Sequence, residues 1–556
     1  MKLKKLNNWS LPIILLISIA NHLFTFFAYT WYAGMDSYSY DVCGLQLVSG
    51  YKIDIFSLMY RPPLVPILKN ILYLIFEGHP FALSIFVHFI GVITTVLVYR
   101  LGCKFNKKIG FITGLAMALN INMAVFYHSI STLTFYVPLL ILAADCFVVW
   151  MRKFSSRSLI YLIITTFLCC MTRTESIILV PVFFIFGWIS LRNWRQPALF
   201  LLIFAVLYNL VCSWYYCNLG YWRVTYKAGW ALSYRLLRPR DSLFSKYNGP
   251  SSLKVYEYLT EELPESIKNI RKFESLMYSF NLAQDDLGYI EADKLFKRAF
   301  IEAIKANPVK FTKFTFLRML GHFDLYSLDF NHKESPYASE SGHMWGFDGE
   351  RAENSREKFE QWSPLVSKLD SPLQWEREVI LARFKKFLGF ANSIPKVPET
   401  FKLSSNISID DYGKFKFLSC GDGVMTERLW NCRYLDKYFY LAYWGQKGWS
   451  ELSLNILKYW DAIFMPNHTV KIIISWLMWI LWVSGIFISK KREVSIFLGA
   501  FLIVVVFQAV SQAIFSDNFG GRFALYMIHF KWLGALCGIL AFIERGNKKL
   551  SHKLND

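Results

Sequence analysis

The chain has 556 residues, 54% hydrophobic and 18% charged, with 61 Lys and Arg against 41 Asp and Glu for a formal net charge of +20. So little polar side chain cannot cover one soluble domain of this size, and the composition reads as an all-α polytopic membrane protein. The positive charge comes without zinc-finger or RNA-motif spacing, which argues against a nucleic-acid partner and leaves membrane topology as its source.

A bilayer core takes roughly 20 apolar residues per helix, and about ten runs approach that length. The chain opens Met1-Lys2-Leu3-Lys4-Lys5 before the first run, 11–30. No small-x-small cleavage site follows, so an uncleaved anchor is expected rather than a removed signal. The loop 31–79 then carries Gly34-Met35-Asp36-Ser37-Tyr38-Ser39-Tyr40-Asp41, and later Tyr60-Arg61-Pro62-Pro63 ahead of an interfacial run, 64–76. If the loop is helical, Asp41 stands about 140° around from Asp36, while Tyr40 shares the Asp36 face. The two acids are therefore not a shared dyad.

Further runs follow at 80–99, 109–127, 133–150, 158–171, 176–191 and 198–217, the two around Cys169 and Ile178 being short. Asp145 lies inside the fourth and is expected to pack in the bundle with a polar partner. Met171-Thr172-Arg173-Thr174-Glu175 forms the whole turn between two runs. From 218 to 468 the apolar runs stop, and a stretch of this length is expected to fold as a mainly helical domain. In it, Asp285 or Asp286 can cap a helix with Leu295, Phe296, Ala299, Phe300 and Ala303 at helical spacing, ended by Asn307-Pro308.

After Pro308 a second helix carries Phe311, Phe314, Leu317 and Leu320 bordered by Lys310, Lys313 and Arg318, suited either to anionic head groups or to packing on its own domain. A third is expected near Trp375 to Phe390, with a loop over 330–373 between them. His332 and His343 in that loop lack an acidic or Cys partner at metal-ligand spacing. Cys420 and Cys432 share this region and could pair in an oxidising space, and Asn406 and Asn467 begin glycosylation sequons. Three more runs, 470–488, 495–513 and 523–543, complete the chain, with Ser516-Asp517-Asn518-Phe519-Gly520-Gly521-Arg522 before the last. The organisation expected is thus a bundle of seven helices over 1–217, an extracytoplasmic domain over 218–468 and three helices over 469–556.

Alternate loops collect Arg100, Lys104, Lys107, Lys108, then Arg152, Lys153, Arg157, then Arg192, Arg195, then Lys490, Lys491, Arg492, and finally Arg545, Lys548, Lys549 and Lys553. By the positive-inside rule these face the cytoplasm together with both termini. Asp36, Arg61, Arg173, Glu175 and Arg522 then share the outer side of a cell inner (plasma) membrane. Guanidinium groups match phosphate oxygens in pairs, so these turns suit a lipid phosphate while a carboxylate takes a proton from an incoming hydroxyl or amine. The plainer readings stay open: Arg173 paired with Glu175 across its turn, Arg522 anchored to head groups, Arg61 marking the interface.

In this order and on this side, Asp36-Ser37-Tyr38-Ser39-Tyr40, Arg61-Pro62-Pro63-Leu64-Val65-Pro66, Leu97-Val98-Tyr99-Arg100-Leu101-Gly102, Thr172-Arg173-Thr174-Glu175 and Gly521-Arg522-Phe523 resemble landmarks of the GT-C membrane glycosyltransferases. The branch resembled is that of protein O-mannosyltransferases and lipid A aminoarabinose transferases. The resemblance covers about the first 200 and the last 50 to 90 residues. It implies a GT-C-like bundle, a polyprenyl-phosphate sugar donor, membrane lipids and an extracytoplasmic acceptor as partners, Asp36 as catalytic acid/base and Arg522 as the late phosphate-binding Arg. Arg61 and Arg173 join the donor-phosphate set, Tyr40, Asp41 and Glu175 stand as supporting residues, and a divalent cation is the one cofactor left open. Where the family often has a second acid, this chain reads Ser131-Thr132-Leu133-Thr134, and its large outer portion is inserted before the last three helices rather than placed after them. Alternatives of other classes are a transporter or flippase of lipid-linked sugars and a polysaccharide polymerase or ligase.

Overall fold

The computed structural model describes residues 2–28, 61–75, 80–120, 123, 124, 127, 132–153, 155–225, 228–236, 243–260, 280, 283, 286–323, 468–515 and 521–553. Among these every regular element is helical. Six helices are long and apolar enough to cross a membrane, and the apolar stretches 156–172 and 472–488 are shorter.

Helix α1 (Lys2–Ala28) lies against α3 (Pro80–Phe105), preceded by the short α2 (Leu64–Ile75). The seam between α1 and α3 is polar at intervals along its length: Ser10 to Tyr99 at 3.0 Å, Ser18 Oγ donating to Thr95 at 3.1 Å, and His22 Nδ1 to His88 Nδ1 at 2.9 Å. Each of these groups satisfies the other's hydrogen-bonding capacity, as apolar surroundings require. At Asn106 the chain reverses into α4 (Lys107–Ala118), the Asn106 side chain accepting from Lys108 N–H at 2.8 Å. The hairpin closes on glycine, because a Cβ on Gly102 would stand 2.7 Å from Gly110 Cα. Only a residue without a side chain permits that approach.

The run 109–127 was expected to span as one helix, yet α4 stops at Ala118, whose carbonyl accepts from Asn21 Nδ2 at 3.0 Å. Its 12 residues rise about 18 Å, short of a bilayer core. Asn120, turned back to accept from Met123 N–H, marks the break.

The centre of the bundle is α5 (Thr132–Arg152), packed on α6 (Ser156–Thr172), and the chain then turns through a 3-10 segment, Thr174–Ile178, into α7 (Leu179–Leu191) and α8 (Arg195–Leu219). Ser155 and Ser158 cap α6 reciprocally, and Gly220 ends α8 at φ 76°, a left-handed conformation that glycine adopts without strain. After 467 come α13 (His468–Ile488), α14 (Arg492–Phe515) and α15 (Gly521–Lys553). These join the N-terminal helices through ring contacts: Phe105 with Phe497 at 4.7 Å and Phe183 with Phe501 at 6.0 Å.

The basic loops gather at one end. Asp145 sits 3.0 Å from Arg100 Nη2 and 3.6 Å from Lys104 Nζ, so the buried acid has the polar partners expected of it. Arg152 meets Glu493 at 2.6 Å and the Lys104 carbonyl at 2.7 Å, and Lys491 meets Glu544 at 2.9 Å. Residues far apart in the chain are thereby tied at the end where α1 begins; the opposite end is called the far end below.

Between α8 and α13 stand α9 (Ala228–Leu236), α10 (Pro250–Thr260), α11 (Tyr289–Ala306) and α12 (Pro308–His322). The cap of α11 is Gly288 rather than either acid, because Asp286 instead accepts from the Tyr258 hydroxyl. Glu302 of α11 reaches the first turn of α10, accepting from Ser251 N–H at 3.0 Å, Ser252 N–H at 2.7 Å and Ser252 Oγ at 2.8 Å. The carboxylate thus closes the N-terminal end of a neighbouring helix.

Helix α12 meets its own region in part, with Phe300 of α11 against Phe311 at 5.7 Å. It packs on α14, and the carbonyl of Phe323 just past its end accepts from Ser475 Oγ at 3.0 Å and Trp479 Nε1 at 3.1 Å. Ser475 lies about 10 Å along α13 from His468, so α12 runs down into the bundle from the far end. The expected helix near Trp375 to Phe390, the loop 330–373, His332, His343, Cys420 and Cys432 lie outside the described residues.

Candidate functional site

Of the residues singled out by sequence, Asp36, Tyr40 and Asp41 lie outside the described residues. Arg522 is the second residue of α15, where the backbone alone is described. Arg61 is buried just ahead of α2, in which Ile67 N–H donates to Pro63 O at 3.1 Å. The paired prolines lead straight into the helix, and α2 packs on α6, the helix that ends at Arg173.

Arg173 anchors the best-defined polar cluster at the far end. Its backbone is extended at φ −145°, ψ 119°, capping α6 through N–H to Cys169 O at 2.9 Å. The side chain turns inward: Nε donates to Glu175 Oε1 at 2.9 Å, with Nη2 on the same oxygen. The guanidinium stands over the Tyr136 ring of α5 at 5.6 Å. From α14, Gln512 Nε2 donates to Glu175 Oε1 at 3.1 Å, and Gln508 Nε2 donates to the Tyr136 hydroxyl. Three segments thus fix one ion pair, whose side chains are 9% and 19% exposed. The pairing across the turn, one of the readings left open above, is what the chain adopts.

A second cation lies beside the first cluster. Arg235 of α9, 1% exposed, donates through Nη1 to the carbonyl of Ala513 and through Nη2 to Thr315 Oγ1 at 2.9 Å, and stacks over Phe311 at 5.3 Å. Ala513 follows Gln512 directly, so Arg235 and the Glu175 partner of Arg173 are held by adjacent residues in the last turns of α14. Lys531 of α15 donates to Ser475 Oγ and, at 3.5 Å, to Phe323 O.

Sequence reasoning missed Tyr136, Gln508, Gln512, Arg235 and Lys531. Two signals were available: Gln508 and Gln512 share a helical face inside an apolar run, and Lys531 is a lone cation within the last one. Nothing in the local sequence distinguishes Arg235 from other basic residues of 218–468. Among the described residues no three His, Cys, Asp or Glu side chains gather as a metal site.

Outside the membrane-crossing helices, partial burial pushes the Glu302 carboxyl up, and the Ser252 and Ser251 donors outweigh it, holding the group below its ordinary 4.5.

Compared with protein-family models, curated proteins and solved structures, the chain shows no match.

Proposed function

We propose that this protein is an integral membrane glycosyltransferase of the GT-C type, moving a sugar from a polyprenyl-phosphate donor to an acceptor on the side of the membrane opposite the basic loops. The observation that carries the reading is the convergence of buried Arg235 and of Glu175, the partner of buried Arg173, on adjacent residues of α14 at the far end. Buried arginines at a membrane boundary are functional by default, and phosphate is the anion that their fork of donors fits. In the reaction, an acceptor oxygen or nitrogen forms a bond to the anomeric carbon as the bond from that carbon to the phosphate oxygen breaks. The bonding electrons leave with the phosphate, and Asp36 takes the acceptor's proton. Arg61, Arg173 and Arg522 steady the charge growing on the departing phosphate. Because Glu175 already engages Arg173, that guanidinium is preset rather than mobile, which suits electrostatic stabilisation.

A second reading, a flippase of lipid-linked sugars, is favoured by one observation. The ends of α4 and α12 both lie within the bundle, and interrupted helices are the usual setting of transport sites. Purified protein given radiolabelled polyprenyl-phosphate sugar separates the two. Release of free polyprenyl phosphate with label on an acceptor supports the transferase, and movement of intact donor across a vesicle without release overturns it.

A further inference from the structure

We infer that the pocket between α3, α4 and α15 is a binding site for the hydroxyl group of a membrane-dissolved alcohol, held by His529 and Asn120. The proposed sugar transfer makes no use of it.

The pocket lies where α4 stops, lined by Val98 of α3, Thr113 and Met117 of α4, Asn120 just past its end, and His529 and Trp532 of α15. His529 is 5% exposed, and its Nε2 is buried without a hydrogen-bond partner among the described residues. Asn120 spends Oδ1 on Met123 N–H at 3.3 Å, so its amide nitrogen is the donor it brings. Thr113 gives its hydroxyl proton to the carbonyls of Ile109 and Gly110. Lys531, two positions after His529, is engaged elsewhere, by Ser475 Oγ and Phe323 O. Among the described residues the lining carries no charged side chain. Trp532, 37% exposed, marks the side on which the pocket meets lipid.

Depth and polarity decide what fits. His529 lies about 12 Å along α15 from Gly521, well inside a bilayer core of roughly 30 Å. A charged ligand would find no counter-charge in this lining and would carry a large desolvation cost. A purely apolar one would leave His529 Nε2 without the hydrogen bond that burial demands. An uncharged oxygen avoids both penalties. A hydroxyl suits either tautomer of the imidazole, accepting from an N–H or donating to a bare nitrogen, whereas a carbonyl suits only one. It can accept from the Asn120 amide as well. The space admits one water-sized group, so the hydroxyl enters while the apolar body of the alcohol stays outside, along Trp532 and the lipid. The bilayer core supplies little water to compete for such a position. One ligand oxygen would thus join the end of the interrupted helix α4 to α15.

The test uses the full chain in lipid nanodiscs with a diazirine-bearing octanol as photolabel, its adducts mapped by mass spectrometry. Competitors, at equal membrane concentration, are 1-octanol, 2-octanone and octane. The site predicts adducts on Trp532 or Met117, with octanol suppressing them at least about tenfold more effectively than octane, as one to two hydrogen bonds would give. Folded His529→Phe should lose that preference, and His529→Gln, which keeps a donor and an acceptor, should retain it. Equal suppression by octanol and octane in the unsubstituted protein overturns the site without recourse to any variant. Absence of adducts on the lining residues leaves the pocket to water and overturns an alcohol ligand. Stronger suppression by the ketone than by octanol overturns the hydroxyl assignment in favour of a carbonyl. An octanol preference that persists in folded His529→Phe overturns the role of His529. None of these outcomes depends on release of sugar, so the site and the transferase reading fail separately.

Discussion

Arg173 commits Nε and Nη2 to Glu175 while its guanidinium covers the Tyr136 ring, so charge, hydrogen bonding and packing are satisfied together. Breaking one partner of such a buried pair costs about 3–5 kcal/mol, whereas replacing both with apolar residues is often neutral. Glu175→Ala should therefore lower stability in detergent by about that amount, and Arg173→Met with Glu175→Leu should recover most of it. A loss under about 1 kcal/mol for Glu175→Ala would mean that the pair is solvated. Glu302 gives a second test at this scale. Its carboxyl is depressed in the folded chain, so its contribution is present above the ordinary 4.5 and lost as pH falls through the lower folded value. Unfolding followed from pH 7 downward should show a loss in that acid range that Glu302→Gln lacks; identical profiles would contradict the assignment. The acids and arginines themselves were readable in the sequence, but whether Arg173 faced Glu175 or the solvent was not. That choice depends on Gln512 and Tyr136, which reach it from other helices.

Helix positions were largely legible because apolar runs bounded by Lys, Arg and Pro leave few alternatives. α5, α7 and α14 fall close to their expected limits. The break in α4 was legible only as Asn120 and Asn122 inside an otherwise apolar run. At the break Asn120 accepts from Met123 N–H, and Asn21 of a different element donates to the Ala118 carbonyl. The same holds for α12, whose stripe announced an amphipathic helix without saying which surface it meets. Ser475, Trp479 and Lys531 decide that by binding the carbonyl at its end. The α3–α4 hairpin offers a direct check. A Cβ on Gly110 would stand 2.8 Å from Cys103 N and 2.9 Å from Tyr99 O, so only backbone movement makes room. Gly110→Val should cost at least about 1–3 kcal/mol by thermal unfolding, with Ile112→Ala on the exposed face near neutral. Equal effects would show that the two helices are not in close contact.

For the whole molecule, the gathering of basic loops at one end by Arg152–Glu493 and Lys491–Glu544 gives the positive-inside reading a physical frame. If that end is cytoplasmic, Ser245→Cys should react with a membrane-impermeant maleimide in intact cells and Asn193→Cys only after lysis. The reverse pattern would invert the site's orientation. The all-helical, membrane-spanning character could be read from composition and periodicity. The cation cluster could not, because α9, α12, α14 and α15 meet only after folding. The proposed sugar transfer is chemistry of the far end, and one measurement addresses it: release of polyprenyl phosphate from a radiolabelled polyprenyl-phosphate sugar by protein in nanodiscs, wild type against Asp36→Asn. Loss of a general base should slow release by about 10²- to 10⁴-fold while donor binding persists. Unchanged release by Asp36→Asn would contradict the role of Asp36, and no release by the wild type with any acceptor would contradict the transferase itself.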